Sequence, residues 1–191
     1  MSRSKTVGTG MNWRRAPAVI VWGLATWACG CSGRGSGAGG EARAALARAA
    51  EEYFSAVRNG DCARQAEMTD PAVAKALGGR NKLEESIRKA ANEMKILPES
   101  LKSEGPAQTV ADGDVVLGAV AYSFSMDTRG GRTEIHSSII GISIDQGHTW
   151  RFIAGNRNGR ELVGSLYPKP MAELKIPEAY GILPDGTRKP L

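Results

Sequence analysis

Glu134 and His136 stand two residues apart in an alternating segment, so a strand there would place both on one face. A carboxylate beside an imidazole is the arrangement of a general base with its orienting partner, suited to moving a proton. Ser138, Ile140, Ile142 and Ile144 continue that face, while Ile135, Ile139 and Gly141 occupy the other. Isoleucine on both faces leaves open which one turns inward. The competing reading, a solvated pair at the strand's end near the Gly130-Gly131 turn, is preferred because polar residues in such places are usually hydrated. His148 falls within a turn and is expected to be exposed. The sequence contains no nucleophile elbow, phosphate loop, dinucleotide fingerprint or metal-binding helical pair, so neither a metal ion nor a cofactor is expected.

The sharpest local pattern is Ser143-Ile144-Asp145-Gln146-Gly147-His148-Thr149-Trp150. It resembles the Asp-box hairpin of sialidases and other secreted proteins. Its residues read as scaffold: the Asp145 carboxylate can accept hydrogen bonds from turn amides, Gly147 can take a positive φ, and Trp150 can pack over the turn. Ser143 and Thr149 complete this structural turn. A single copy excludes a propeller built from such boxes.

The chain has 25 basic and 20 acidic side chains, but four of the bases, Arg3, Lys5, Arg14 and Arg15, lie in residues 1–31, which contain no acid. The remainder is nearly balanced, so no electrostatic case for nucleic acid survives. Arg14-Arg15 precedes an uncharged run, residues 16–28, that ends in Ala28-Cys29-Gly30-Cys31-Ser32. A resident membrane helix needs about 20 apolar residues, and this run is shorter. A positive flank, a short apolar stretch and small residues make a secretory signal peptide, for which a start at Met11 gives a tighter leader than Met1.

The end of the leader resembles the lipobox of bacterial lipoproteins. That resemblance implies acylation of Cys31, preceded by small Ala28 and Gly30, or alternatively of Cys29, which has bulky Trp27 two residues before it. It also implies a location in the bacterial cell envelope, with Ser32 rather than Asp favouring the outer membrane, facing the periplasm, over the inner. Residues 32–41 are rich in Gly and Ser and read as a flexible tether. Cys62 is the only remaining thiol. It reads as a small buried hydrophobe, and a lone cysteine builds neither a disulfide scaffold nor a cysteine zinc site.

Behind the tether, Leu46, Ala50, Tyr53, Phe54 and Val57 recur at helical spacing. Asn59-Gly60 should end that helix, with Asp61 capping a second and Asp70-Pro71 starting a third that Gly78-Gly79 stops. Asn81 and Glu84 predict a capping box for a fourth helix, whose apolar stripe is Leu83, Ile87, Ala90, Ala91 and Met94. After Pro98 the period becomes two. Strands are expected over residues 101–111, 115–126, 133–144 and 150–154, the first kinked at Gly105-Pro106 and turning at Asp112-Gly113.

The expected fold is therefore α+β, with N-terminal helices packed on a curved antiparallel meander across residues 42–160. Residues 161–191 hold five of the nine prolines and are expected to wrap against it as an irregular, Pro-rich tail.

The first helix, carrying Tyr53-Phe54-Ser55-Ala56-Val57-Arg58-Asn59-Gly60-Asp61, together with this order of elements, resembles the nuclear transport factor 2-like superfamily of cone-shaped domains over residues 42–155. Where that family places strands between its early helices, residues 69–80 read here as helix. The resemblance implies a hollow between helices and sheet. It frames three expectations: a non-catalytic envelope lipoprotein binding a small apolar ligand or a protein partner, a dehydratase- or isomerase-type enzyme using His136 and Glu134, or a structural accessory subunit that dimerises through an open sheet face. Metabolic labelling with a palmitate analogue is expected to mark the chain and to be abolished by replacing Cys31 or Cys29. Unlabelled protein in the culture medium would exclude the anchor.

Overall fold

A computed structural model describes residues 36–191. The leader, Cys29, Cys31 and the first part of the tether lie outside the described residues. Helix α1, Ser36–Arg58, begins inside the Gly/Ser run, ahead of the expected start of the domain at residue 42. Ala42, Leu46, Ala50 and Phe54 recur every fourth residue and are all buried, Leu46 completely. The helix closes as its glycine predicts. Gly60 takes φ +65°, and the Asp61 amide reaches back to the Ala56 carbonyl at 2.9 Å, the wrapped-back end that only a left-handed residue permits.

Helix α2, Cys62–Met68, is capped by Asp61, whose carboxylate accepts from the Arg64 amide at 2.9 Å. Helix α3, Pro71–Ala76, is capped by Asp70, which accepts from Ala72 at 2.8 Å. Helix α4, Arg80–Met94, departs from expectation: its cap is Gly79 at φ +106°, with no side-chain hydrogen bond. Asn81 already lies inside the helix, so the predicted capping box with Glu84 does not form. Glu84 instead accepts from Arg88 one turn on, at 2.6 Å.

A 3-10 turn at Pro98–Ser100 leads into the sheet. Its strands are β1 Lys102–Asp112, β2 Val115–Thr128, β3 Gly131–Ser143, β4 Arg151–Ala154, β5 Tyr180–Ile182 and β6 Arg188–Pro190. All neighbours are antiparallel, in the order β1-β2-β3-β5-β6, with β4 also on β3. The sheet is curled but not closed. The far edge of β3 is shared. Residues 139–142 pair with β4 and residues 134–136 with β5. Between Glu104 and Gln108 the register of β1 shifts, where Gly105 takes φ +68°.

Isoleucine occurs on both faces of β3 because both faces are covered. On one, Val116, Val120, Phe124, Ile135 and Ile139 pack with Leu46 and Phe54 of α1 and with Trp150 and Phe152. On the other, Leu117, Ala119, Ile140 and Ile142 pack with Val163 and Leu174 of the tail. The tail is thus more regular than its prolines suggest: it contains most of α5, Arg157–Leu166, then α6, Pro168–Glu173, and the β5–β6 hairpin. Pro168 and Pro170 fall in the first turn of α6, where a missing amide costs nothing, and Pro190 ends an edge strand.

Gly118 and Gly141 face each other across β2 and β3 and form the seat for Leu46. A Cβ on Gly118 would collide with Leu46 Cδ2, and one on Gly141 would lie 2.7 Å from Leu46 Cδ1 and 2.9 Å from Trp150. Gly118→Ala and Gly141→Ala are each expected to lower the unfolding free energy by about 1–3 kcal/mol in urea denaturation. Gly40→Ala, where nothing crowds the added methyl, should instead raise it by up to about 1 kcal/mol.

Candidate functional site

The register places Glu134, His136, Ser123 and Ser125 on the sheet face away from α1. His136 stands opposite Ser123 on β2 and Tyr180 on β5. The sequence missed a third member of the group, Glu104. This residue lies opposite Ala121 in β1, immediately before the irregular Gly105, and the small side chains of Ala121 and Ser123 let its carboxylate reach diagonally over β2. Glu104 Oε2 is 3.0 Å from His136 Nδ1, and Glu134 Oε1 is 3.5 Å from Nε2. The Tyr180 ring stacks on the imidazole at 4.5 Å and 8°, and the Arg188 guanidinium lies 3.6 Å over Tyr180. The only sequence signal for Glu104 was the run of small residues on β2.

Burial pushes the Glu104 carboxyl up, but the His136 hydrogen bond and charge, the neighbouring Ser123 and the Lys102 ammonium outweigh it and hold the group below its usual range. Ser123 is fully buried beside this carboxylate, and its hydroxyl closes no hydrogen bond of normal geometry. One nitrogen of a neutral imidazole donates and the other only accepts. If Nδ1–H donates to Glu104, Nε2 turns a lone pair toward Glu134. Chemically, the cluster can hold a proton or a cation between carboxylates.

The grooves of the molecule lie elsewhere. One, of about 340 Å³, runs beneath α4 between Tyr53, Val57, Ile87, Ala90, Met94 and Ile96, with Arg58 and Gln65 at its wall. A second, of about 430 Å³, shares Tyr53 and Ile87 and continues along Leu77, Leu83, Phe152 and Leu162. Helix α4 packs chiefly on α2, and Leu83 is its one buried residue. Met94 is 39% and Leu77 46% exposed. Between the grooves, Tyr53 leans on Phe152 at 5.3 Å. Burial, with a smaller contribution from Tyr122, pushes its phenol up to about 12, so it stays neutral. Neither groove, nor the more polar cavity walled by Arg157, Arg160 and Glu178, includes Glu104, Glu134 or His136.

His148 is exposed and lines a shallow cavity with Arg48, Arg64 and Arg151, of which Arg64 is engaged by Glu52 and Glu67. In the adjoining turn, Asp145 accepts from the Ser143 hydroxyl at 2.7 Å, the Thr149 amide at 2.9 Å and the Thr149 hydroxyl at 2.7 Å. Trp150 Nε1 donates to the Gly147 carbonyl at 3.0 Å. Gly147 takes φ +93°, and so, unforeseen, does Gln146 at +60°. A Cβ on Gly147 would approach Ala42 Cβ to 2.6 Å, so the glycine also lets α1 lie against the turn.

Hydrogen bonds from Ser143 and Thr149 hold the Asp145 carboxyl well below its ordinary value. Groups depressed in this way stabilise the fold above their unfolded pKa and lose that contribution as pH falls through the folded one. The urea midpoint is therefore expected to decline progressively below about pH 4.5 as Glu104 and Asp145 take up protons. Asp145→Asn should flatten the most acidic part of that decline. No family model matches the chain and no curated protein is similar to it in sequence, so the site stands on its own geometry.

Proposed function

We propose that the chain is a non-catalytic binding domain of the bacterial envelope, tethered through an acylated Cys31, which takes a small neutral apolar molecule into the groove beneath α4. The observation that carries this reading is the pair of apolar grooves meeting at Tyr53 and Ile87 under a helix that buries only Leu83. Volumes of this order suit small ligands, and walls of this composition favour uncharged ones. Each methylene transferred from water into the groove contributes about 0.8 kcal/mol. Helix α4 is bounded by backbone that can act as hinges: Gly78 and Gly79 precede it, and Lys95 at φ +43° follows. The catalytic alternative, His136 acting with Glu134, gains a partner in Glu104 but loses support from the position of all three outside these grooves.

The test is titration of residues 32–191 with N-phenyl-1-naphthylamine, a neutral fluorescent probe. Both apolar cores of the protein lie within residues 36–191, so this chain retains them. Saturable fluorescence is expected, with Ile87→Lys weakening it by about tenfold or more, since a buried ammonium costs more than one methylene. Glu134→Gln should leave it unchanged. Absence of saturation, or equal affinity in Ile87→Lys, overturns the groove as the site.

A further inference from the structure

We propose that Glu104, Glu134 and His136 bind one divalent transition-metal ion of the zinc type on the sheet face opposite α1. One ligand atom from each of the three residues lies within 4.8 Å of the other two. A tetrahedral ion at bonds of about 2.0–2.2 Å holds its ligands roughly 3.3 Å apart. Rotation of the two glutamates, which are partly exposed, covers that difference while the backbone stays in place.

Independent features of the cluster point to a bound cation. The first is the chemistry of the imidazole: carboxylates flank both its nitrogens, yet a neutral ring can donate to only one of them. Nε2 is shielded from solvent and finds no hydrogen-bond partner. One ion can take only one of these nitrogens, so a glutamate must rotate to bring both carboxylates to it, and the contact that is repulsive without an ion then becomes coordination. The second is Ser123, which is fully buried opposite His136 and whose hydroxyl lies beside the Glu104 carboxylate without closing a hydrogen bond of normal geometry. A buried hydroxyl left without a well-formed hydrogen bond is unfavourable, and a fourth ligand position, filled directly or through a water molecule, would satisfy it.

One imidazole and two carboxylates form a nitrogen–oxygen donor set suited to zinc or manganese and poor for soft copper(I). Tyr180 closes one face of the imidazole. Its hairpin and the Lys102 ammonium bring positive charge to the rim, so the two carboxylates offset both the ion and its neighbours. Bound there, the ion would reinforce the link from β1 to β3 across β2 that Glu104 and His136 already make.

The test uses residues 32–191, which omit the thiols of Cys29 and Cys31. After treatment with a chelator, zinc chloride is titrated by calorimetry, and cobalt(II) is followed by its visible absorption. Uptake of one ion per chain and a cobalt spectrum without thiolate charge-transfer bands are expected. Glu104→Gln, Glu134→Gln and His136→Ala should each weaken binding by about tenfold or more. Glu161→Gln, a residue paired with Arg157 on α5, should have no effect. If His136→Ala fails to fold, Glu134→Gln carries the comparison, because its side chain is 41% exposed and belongs to neither core. No uptake at millimolar zinc, or equal affinity in Glu134→Gln, overturns the proposal. Neither result bears on the groove beneath α4, which shares no residue with this cluster.

Discussion

The distance between α1 and the sheet sets the rest of the architecture, and Gly118 and Gly141 set that distance. With the two glycines opposite each other, Leu46 reaches the backbone of β2 and β3 and is completely buried. The same approach lets Phe54 touch Tyr122 at 5.2 Å and brings Ala42 against the turn at Gly147. Interiors packed to crystal-like density tolerate no compromise at such a point. Tyr53, one residue from Phe54 on the helix, therefore stands at a defined height above the sheet, and the grooves on either side of it inherit their depth from Leu46.

Local chemistry was legible wherever a single residue determines it. The recurrence of Leu46, Ala50, Tyr53, Phe54 and Val57 at helical spacing marked the apolar face of α1, on which Leu46, Ala50 and Phe54 are buried. Asp61 and Asp70 cap where their side chains can reach the next free amides, and Gly60 turns left-handed where α1 must stop. The start of α4 is not legible, because Asn81 and Glu84 have the spacing of a capping box whereas Gly79, at φ +106°, begins the helix first. The tail departs from expectation for a related reason: proline opposes regular structure only where its missing amide is needed, and Pro168 and Pro170 occupy the helical turn that accepts them.

Long-range placement was legible only in part. Alternation gave the right partners for each face of β3 but not the direction of either face, since α1 covers one and α5–α6 the other. The convergence of Glu104 on His136 depends on the register of three strands and on the irregular backbone after Glu104, neither of which a sequence spacing of 32 residues reveals. Glu134 beside His136 followed from alternation alone. Their separation from the grooves did not, because it depends on which element covers which side.

The shared edge of β3 has a kinetic consequence. Its C-terminal part is paired by the neighbouring strand β4, but residues 134–136 wait for Tyr180–Ile182, some forty residues later in the chain. Until the C-terminus has been made and delivered, that stretch presents open amides and carbonyls of the kind that recruit strands from other molecules. A chain shortened by a dozen residues at its C-terminus would keep both apolar cores and still expose that adhesive rim, so clipping by proteases would promote self-association before it caused unfolding.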